Sequence, residues 1–344
     1  MSLTQTAYTS RQLIKYGGVG LIAFTFLWIT GGIAYRAYKA AHPTYYPPTV
    51  KFGLLPKIVF PDKKNEAKSF SFELPNDETP NFSDQAKVYV IYRPNTTFLA
   101  LEEDTKTAVN FGFSDAPVEV KPGIYEFKNS TTNKTLTVNV LDGDFVMTYP
   151  YSSDQILLEG AKAPSKADTT AIASSFLDKG GKMTDDLING EKNVSFWQIQ
   201  NTGLKSVSAQ SEANAARVDF YRQNLDDKKI VSSNFGQASV SVLVSGSTLD
   251  AKRIIGVNFK DLQINKESFS TYPIKTSQEA IDSLNAGNYW TAIDVSNKNI
   301  TIRKMYLAYF EPTTLTNYLQ PVFVFEGDNG FVAYIPAVSS DYLQ

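Results

Sequence analysis

Cysteine is absent from the chain and histidine occurs once, at position 42. The first absence removes disulfides, thiol nucleophiles and thiolate metal sites together. The second leaves a zinc site without its usual ligands. A Ser-His-acid triad would have to fold the rest of the chain back onto His42, which follows directly on the apolar N-terminal run, so an interfacial linker residue is the expectation there. No D-x-[DN]-x-[DN]-G run is present, and Asp142, Asp144 and Asp328 read as turn residues rather than calcium ligands. Lys179-Gly180-Gly181-Lys182 lacks the spacing and the Ser/Thr of a phosphate loop and reads as a helix stop. The acid pairs Glu102-Glu103, Asp185-Asp186 and Asp226-Asp227 are adjacent in sequence, so their side chains diverge; the last two pairs are expected in solvent. The sequence thus nominates no catalytic, cofactor-binding or metal-ligating residue.

Excess positive charge is also missing. The first 43 residues carry four Lys/Arg and no Asp/Glu, which leaves 29 basic against 35 acidic residues, a formal −6, on the remainder. Such a balance argues against a phosphate-backbone partner, so no nucleic acid is expected.

What is present is an uncharged stretch near the N-terminus, between Lys15 and Arg36. Twenty residues at 1.5 Å rise span ~30 Å, the thickness of a bilayer's hydrocarbon core. Its anchor residues are Tyr16, Leu21, Ile22, Phe24, Phe26, Leu27, Trp28, Ile29, Ile33 and Tyr35. The aliphatic and Phe members favour insertion by about 2 to 5 kcal/mol together, and Tyr16 and Tyr35 sit where aromatic rings prefer the headgroup level. Arg36 and Lys39 stand where a signal-peptide cleavage site would need small residues, so an uncleaved anchor is expected, its N-terminus inside and the bulk of the chain outside the cytoplasm.

The remainder reads as α+β: a transmembrane helix followed by two or three units, each one short helix packed on an antiparallel meander sheet. The expected organisation is a cytoplasmic tail over 1–15, the transmembrane helix over 16–36, and a Pro-rich stalk with a first strand over 37–64. Units of mixed structure are expected over 65–161, 162–267 and 268–344. Segments 57–60 and 69–74 look like a first strand pair. A helix is predicted over 97–111, stopped by Gly112, with strands over 87–92, 118–127 and 136–140. Asp142-Gly143 predicts a type I′ turn into a strand over 145–149. Ser165-x-x-Asp168 opens a helix over 166–178, and Thr276-x-x-Glu279 is a full capping box before Ala280, Ile281 and Leu284. Strands over 300–310, 321–325 and 331–335 close the chain. The first two are apolar on both faces, which predicts a sheet covered on both sides. Trp197 and Trp290 fall in alternating segments and are expected in cores rather than in a ligand groove.

The ending YLAYFEP…LQPVFVFEGDNGFVAYIPAV, over 306–338, resembles the C-terminal region of PepSY-like proteins and of the YycH–YycI group: a strand ending in tyrosine, a proline, a paired strand, a glycine turn and a last strand. The segment SFSTYPIKTSQEAIDSLNAG, over 268–287, resembles the helix that opens such a unit. The resemblance implies an extracytoplasmic, membrane-anchored, non-catalytic module that acts by touching other proteins, such as a sensor kinase or a protease. It transfers no functional residue.

The expected function is therefore a cell-membrane protein, single-pass, held by lipid through its N-terminal helix and bound to another membrane or envelope protein, without cofactor and without enzymatic activity. An envelope protein binding a glycan, peptide or small molecule in an aromatic groove is the alternative. A carboxylate-dependent hydrolase with two distant acids is the third reading.

Overall fold

No proline interrupts residues 3–41, and a single helix, α1 (Leu3–Ala41), runs through them. It is longer at both ends than the expected 16–36. The tail from residue 3 and the start of the expected stalk, to 41, are helical too, because nothing local stops the helix before the prolines that begin at position 43. The computed structural model describes residues 3–41, 45–62, 68–92, 98–260, 262–312 and 316–344; His42 lies outside them. Packing divides the chain into Met1–Pro47 and Pro48–Gln344.

The second division is α+β. Its strands are β1 (Ser69–Phe72), β2 (Gln85–Ile91), β3 (Val118–Lys121), β4 (Ile124–Asn129), β5 (Lys134–Asn139), β6 (Phe145–Thr148), β7 (Lys192–Gln200), β8 (Gly203–Val207), β9 (Ala215–Phe220), β10 (Ile230–Ser232), β11 (Val240–Ser245), β12 (Ile254–Phe259), β13 (Ile264–Pro273), β14 (Trp290–Ile293), β15 (Asn299–Glu311), β16 (Tyr318–Gly327) and β17 (Val332–Pro336). The helices are α2 (Phe98–Asn110), α3 (Gln155–Leu158), α4 (Lys166–Lys179), α5 (Asp185–Asn189), α6 (Asp250–Arg253) and α7 (Ser277–Asn285).

Two sheets result. The first follows β1-β15-β16-β17-β14, with β2 joining β16 to β13 and β10 lying along β15 beyond β1. The second is wholly antiparallel, in the order β3-β4-β5-β6-β12-β11-β9-β7-β8. Sheet membership does not follow consecutive blocks of chain. Within 65–161, β1 and β2 belong to the first sheet and β3 to β6 to the second; within 162–267, β10 and β13 return to the first.

Several local expectations are corrected. Segment 57–60 forms no strand; β1 instead lies parallel to the start of β15, with Phe70 opposite Ile300. Residues 118–127 are a hairpin, β3 and β4, because Pro122-Gly123 turns the chain, with Gly123 in the left-handed region. Only Gly143 of the Asp142-Gly143 pair has positive φ, so the β5–β6 connection is a longer loop rather than a type I′ turn. Strands β8, β10, β13 and β14 fall in segments where no strand was expected.

The segment expected as a stalk is built into the body from Pro48 on. The Val50 amide donates to the Thr271 carbonyl at 3.1 Å, along the outer side of β13. Leu55 is fully buried and bridges to Leu343. Phe60 stacks on Trp290 at 5.2 Å, and the Trp290 indole donates to the Pro61 carbonyl at 2.8 Å.

The first sheet is covered on both sides, as expected from β15 and β16. Met305, Leu307, Phe323, Phe325 and Ile335 face α7, which contributes Ala280, Ile281 and Leu284. The alternate residues Ala308, Phe310, Val322, Val324 and Tyr334 meet Ile58, Phe60 and Val231. The second sheet buries one face fully: Phe127, Leu136, Phe145, Met147, Val218, Val242 and Phe259 pack with Ala108 of α2, Ala173 and Leu177 of α4 and Leu187 of α5. Its other face is covered at one end, where Leu157 and Tyr149 meet Ile199, Leu243 and Ile255.

Candidate functional site

Tyr16, Leu21, Phe24, Phe26, Leu27, Trp28, Ile29, Ile33 and Tyr35 all lie on α1, 62 to 74% exposed. The Ile22 side chain is outside the described part of the structure. Large apolar side chains displayed around a helix have no partner in water and suit hydrocarbon. Thr25 and Thr30 remove their own polarity by bonding back to carbonyls four residues earlier. The Thr25 hydroxyl donates to the Leu21 carbonyl at 2.9 Å. The Thr30 hydroxyl donates to the Phe26 carbonyl at 2.8 Å. Lys15–Lys39 is long and apolar enough to cross a membrane.

A polar concavity of the body lies where the chain passes between the two sheets. The loop 232–239 carries it from β10 to β11, and Lys260, Leu262 and Gln263 lie between β12 and β13. These two connections, the β5–β6 loop and the residues after β15 enclose a cavity of about 220 Å³. A neighbouring cavity of about 410 Å³ shares Ser232, Gln237, Ser239 and Glu311 with it.

Register places the polar groups. Phe145 pairs with Phe259, so Asp144 and Lys260 stand opposite one another one step further on. The Lys260 amide donates to the Ser239 carbonyl at 3.0 Å, which sets Ser239 beside them on the next strand. The Ser239 hydroxyl crosses to the first sheet and donates to Glu311 Oε2 at 3.1 Å. Glu311 Oε1 lies 3.5 Å from Arg222 Nη2, and Arg222 also donates to the Leu262 carbonyl. Asp142 is held by its own loop, accepting from Asn139 Nδ2 at 2.7 Å and from the Asp144 amide at 3.0 Å.

Asp144 differs from the other two acids. Among the described residues no hydrogen bond reaches its carboxyl group. Burial pushes its pKa up to about 7, with Asp142 adding to the effect; Lys260 opposes it, Glu311 adds to it and Arg222 opposes it. The group therefore exchanges its proton near neutrality. No set of three or more His, Cys, Asp or Glu among the described residues is placed to hold a metal ion.

Of the two acid pairs expected in solvent, Asp185, Asp226 and Asp227 are exposed and Asp186 is half-buried. Asp186 pairs with Lys266. Asp226, in the left-handed region, accepts from Tyr89, from Lys87 at 2.9 Å and from Tyr309 at 3.2 Å. Glu102 pairs with Lys106 one helical turn on, at 2.9 Å. The tryptophans are where the alternation put them. Trp290 is in the first sheet's core, and Trp197 is half-buried with Arg217 over its ring at 5.2 Å. No tryptophan lines the inter-sheet cavity, so the aromatic groove of the alternative reading is not formed by tryptophan there. Glu311, Lys260, Ser239 and Arg222 were not singled out by sequence. The available signal was Glu311-Pro312 directly after the apolar stretch 305–310, a charge with no local reason to be there.

Fold and site define an α+β body, built of two sheets, that follows an apolar helix long enough to span a bilayer. No protein-family model and no curated protein matches the chain. Among solved structures it is similar to an uncharacterized protein from Eubacterium rectale, at 13% identity over 75% of this chain and 84% of that one, with a TM-score of 0.43. It is also similar to the C-terminal domain of YpeB from Bacillus megaterium, at 13% identity over 69% of this chain and 92% of that one, with a TM-score of 0.31. Likenesses this distant leave function to be argued from the chain's own residues.

Proposed function

We propose that the chain is a single-pass cell-membrane protein whose body acts outside the cytoplasm as an interaction or regulatory module, without catalysis of its own. The observation that carries this is α1: large apolar and aromatic side chains stand exposed around a helix whose 25-residue span Lys15–Lys39 has the length and composition of a membrane crossing. The body is acidic, which suits a protein partner better than a polyanion. The PepSY-like resemblance of 306–338 agrees with it. The partner is a second membrane or envelope protein, and α1 keeps both at one membrane. Purification in mild detergent from cells at native expression tests the reading. A membrane protein should co-elute in fixed proportion, and protease added to intact cells should remove the body. Recovery of free monomer alone, or a body shielded from external protease, would overturn it.

A further inference from the structure

Charge is divided unevenly along the chain. Residues 1–61 hold six Lys/Arg and no Asp/Glu, and the rest holds 27 basic against 35 acidic residues. Arg11, Lys15, Arg36 and Lys39 belong to α1. Lys51 and Lys57 belong to the body, in its acid-free first segment, 48–61. That segment is fixed in place. The Thr49 amide donates to Thr271 Oγ1 at 2.9 Å, the Lys51 amide to Ser270 Oγ at 2.8 Å, and the Tyr272 hydroxyl to the Gly53 carbonyl at 3.0 Å. The Leu55 amide donates to the Tyr342 carbonyl at 2.8 Å, and the Leu55 carbonyl accepts from the Gln344 amide at 2.9 Å. Leu55 is thereby turned into the core, while its neighbour Leu54 is 53% exposed. Ile58 and Phe60 pack on the first sheet, and the residues alternating with them, Lys57 and Val59, are exposed, Val59 by 62%. Lys51 is exposed as well, and neither lysine takes part in an ion pair among the described residues.

Two basic and two apolar side chains therefore stand out from one anchored stretch of backbone. Apolar residues exposed singly are ordinary on protein surfaces. These two are set apart by their company and by their place in the chain. A second copy of the segment would bring lysine against lysine. A bilayer with anionic headgroups offers phosphates to the lysines and, just beneath, an apolar layer to Leu54 and Val59. Eight residues lead from Ala41 to Thr49, no more than ~28 Å of extended chain, so the segment stays within reach of the surface that α1 leaves. The turn at 339–344 that pairs with Leu55 adds one exposed acid, Asp341, against the two lysines. The acidic remainder of the body is repelled by the same surface, which leaves this segment as the face turned toward it. We infer that residues 51–59 form a second membrane contact, on an anionic phospholipid surface, with Lys51 and Lys57 at the phosphates and Leu54 and Val59 in the headgroup layer. The inference rests on α1 spanning the membrane, as proposed above.

The chain has no cysteine of its own, so Leu54→Cys, Val59→Cys, Val118→Cys and Leu27→Cys can each carry a single NBD fluorophore. The full chain is placed in nanodiscs of phosphatidylcholine with or without phosphatidylglycerol, with nitroxides at the headgroup or in the acyl chain. The Leu27 probe, on α1, should be quenched by the acyl-chain nitroxide in both lipids. The Leu54 and Val59 probes should be quenched by the headgroup nitroxide, more strongly with phosphatidylglycerol. The Val118 probe, 62% exposed on β3, should not be. Lys51→Gln with Lys57→Gln should weaken the contact about thirtyfold and release the Leu54 probe. If the Leu27 probe is quenched while the Leu54 and Val59 probes match Val118, this inference falls and the anchor stands. If the Leu27 probe escapes quenching, both fall. Quenching at Leu54 that ignores the lysine substitutions and the anionic lipid would also overturn the inference.

Discussion

The two sheets solve the same burial problem differently. In the first, β16 is buried at every position from Leu319 to Phe325, because α7 covers one face and residues 58–60 with β10 cover the other. In the second, β5 and β6 alternate buried with half-buried or exposed positions, because α2, α4 and α5 all lie on one face. The cavity grows from this asymmetry. Phe145, Val240 and Phe259 point to the helices, so the intervening positions Asp144, Ser239, Asn258 and Lys260 belong to the other face. In the sealed sheet the polar residue of the buried run, Gln320, is itself buried, its amide donating to the Pro56 carbonyl at 2.7 Å. A sheet sealed on one side can carry polar chemistry on interior strands, at the point where the other sheet begins.

The largest effect that would break the comparison is a truncation in each sheet. Phe323 is fully buried, and its ring lies 5.5 Å from that of Phe82. Phe323→Ala should cost about 3–5 kcal/mol. Val146 stands on the open face of the second sheet, 42% exposed. Val146→Ala should cost no more than about 0.5 kcal/mol. Urea unfolding followed by tryptophan fluorescence measures both. Similar losses would mean that the open face is covered in the working protein.

Next come two charged groups that the second sheet holds at a cost. Asp144 has its folded pKa raised to about 7, far above an unfolded carboxyl. A raised pKa favours the folded state fully at acid pH, and that contribution is lost as pH rises through 7. Asp144→Asn removes the penalty of the buried anion, so at pH 8 it should be more stable than the parent by ~2–4 kcal/mol and should lack the parent's decline between about pH 4 and 7. Lys134, at the start of β5, is buried and its pKa is brought down to about 8 by burial alone. Here the folded state binds its proton less tightly than the unfolded chain, so stability should rise with pH from about 8 to 10.5. Lys134→Met should gain ~1–3 kcal/mol at pH 7 and erase that rise. Unfolding midpoints across a pH series read both. A flat profile for the parent would show that neither group is desolvated.

Which parts of this were legible in sequence follows from how local their causes are. The apolar helix was, since its evidence is a run of side chains. So were the helix ends. Gly112 and Gly181 take positive φ where a stop was expected, and Ser165 accepts from the Asp168 amide at 3.1 Å. The last hairpin was legible because β15 to β17 are long and apolar. Pairing was not. The Ser69 hydroxyl donates to Asn299, 230 residues away, and nothing near either residue announces the other. The cavity failed for a related reason. Asp142 does what a turn aspartate does, so its local explanation was complete, while Glu311 and Arg222 reach the same space from distant strands. The exchange of strands between blocks 65–161 and 162–267 is likewise a long-range choice, made by which apolar faces meet.

The smallest prediction sharpens the comparison at the helices. In α7, the Thr276 hydroxyl accepts from the Glu279 amide at 3.2 Å, and the Glu279 carboxylate accepts from the Thr276 amide at 2.7 Å, a complete capping box. In α4, Ser165 caps the amide of Asp168, whose side chain accepts the serine hydroxyl at 2.7 Å rather than a backbone amide. Thr276→Ala should cost about 1 kcal/mol and Ser165→Ala a few tenths less, since it breaks no reciprocal backbone bond. The Glu279 carboxyl is held below the usual range by the Thr276 amide and then by its hydroxyl. A depressed pKa contributes stability above the unfolded value and loses it as pH falls through the folded one. The Thr276→Ala deficit should therefore shrink below about pH 4. A deficit independent of pH would place the whole effect in the threonine hydroxyl and none in the glutamate that closes the box.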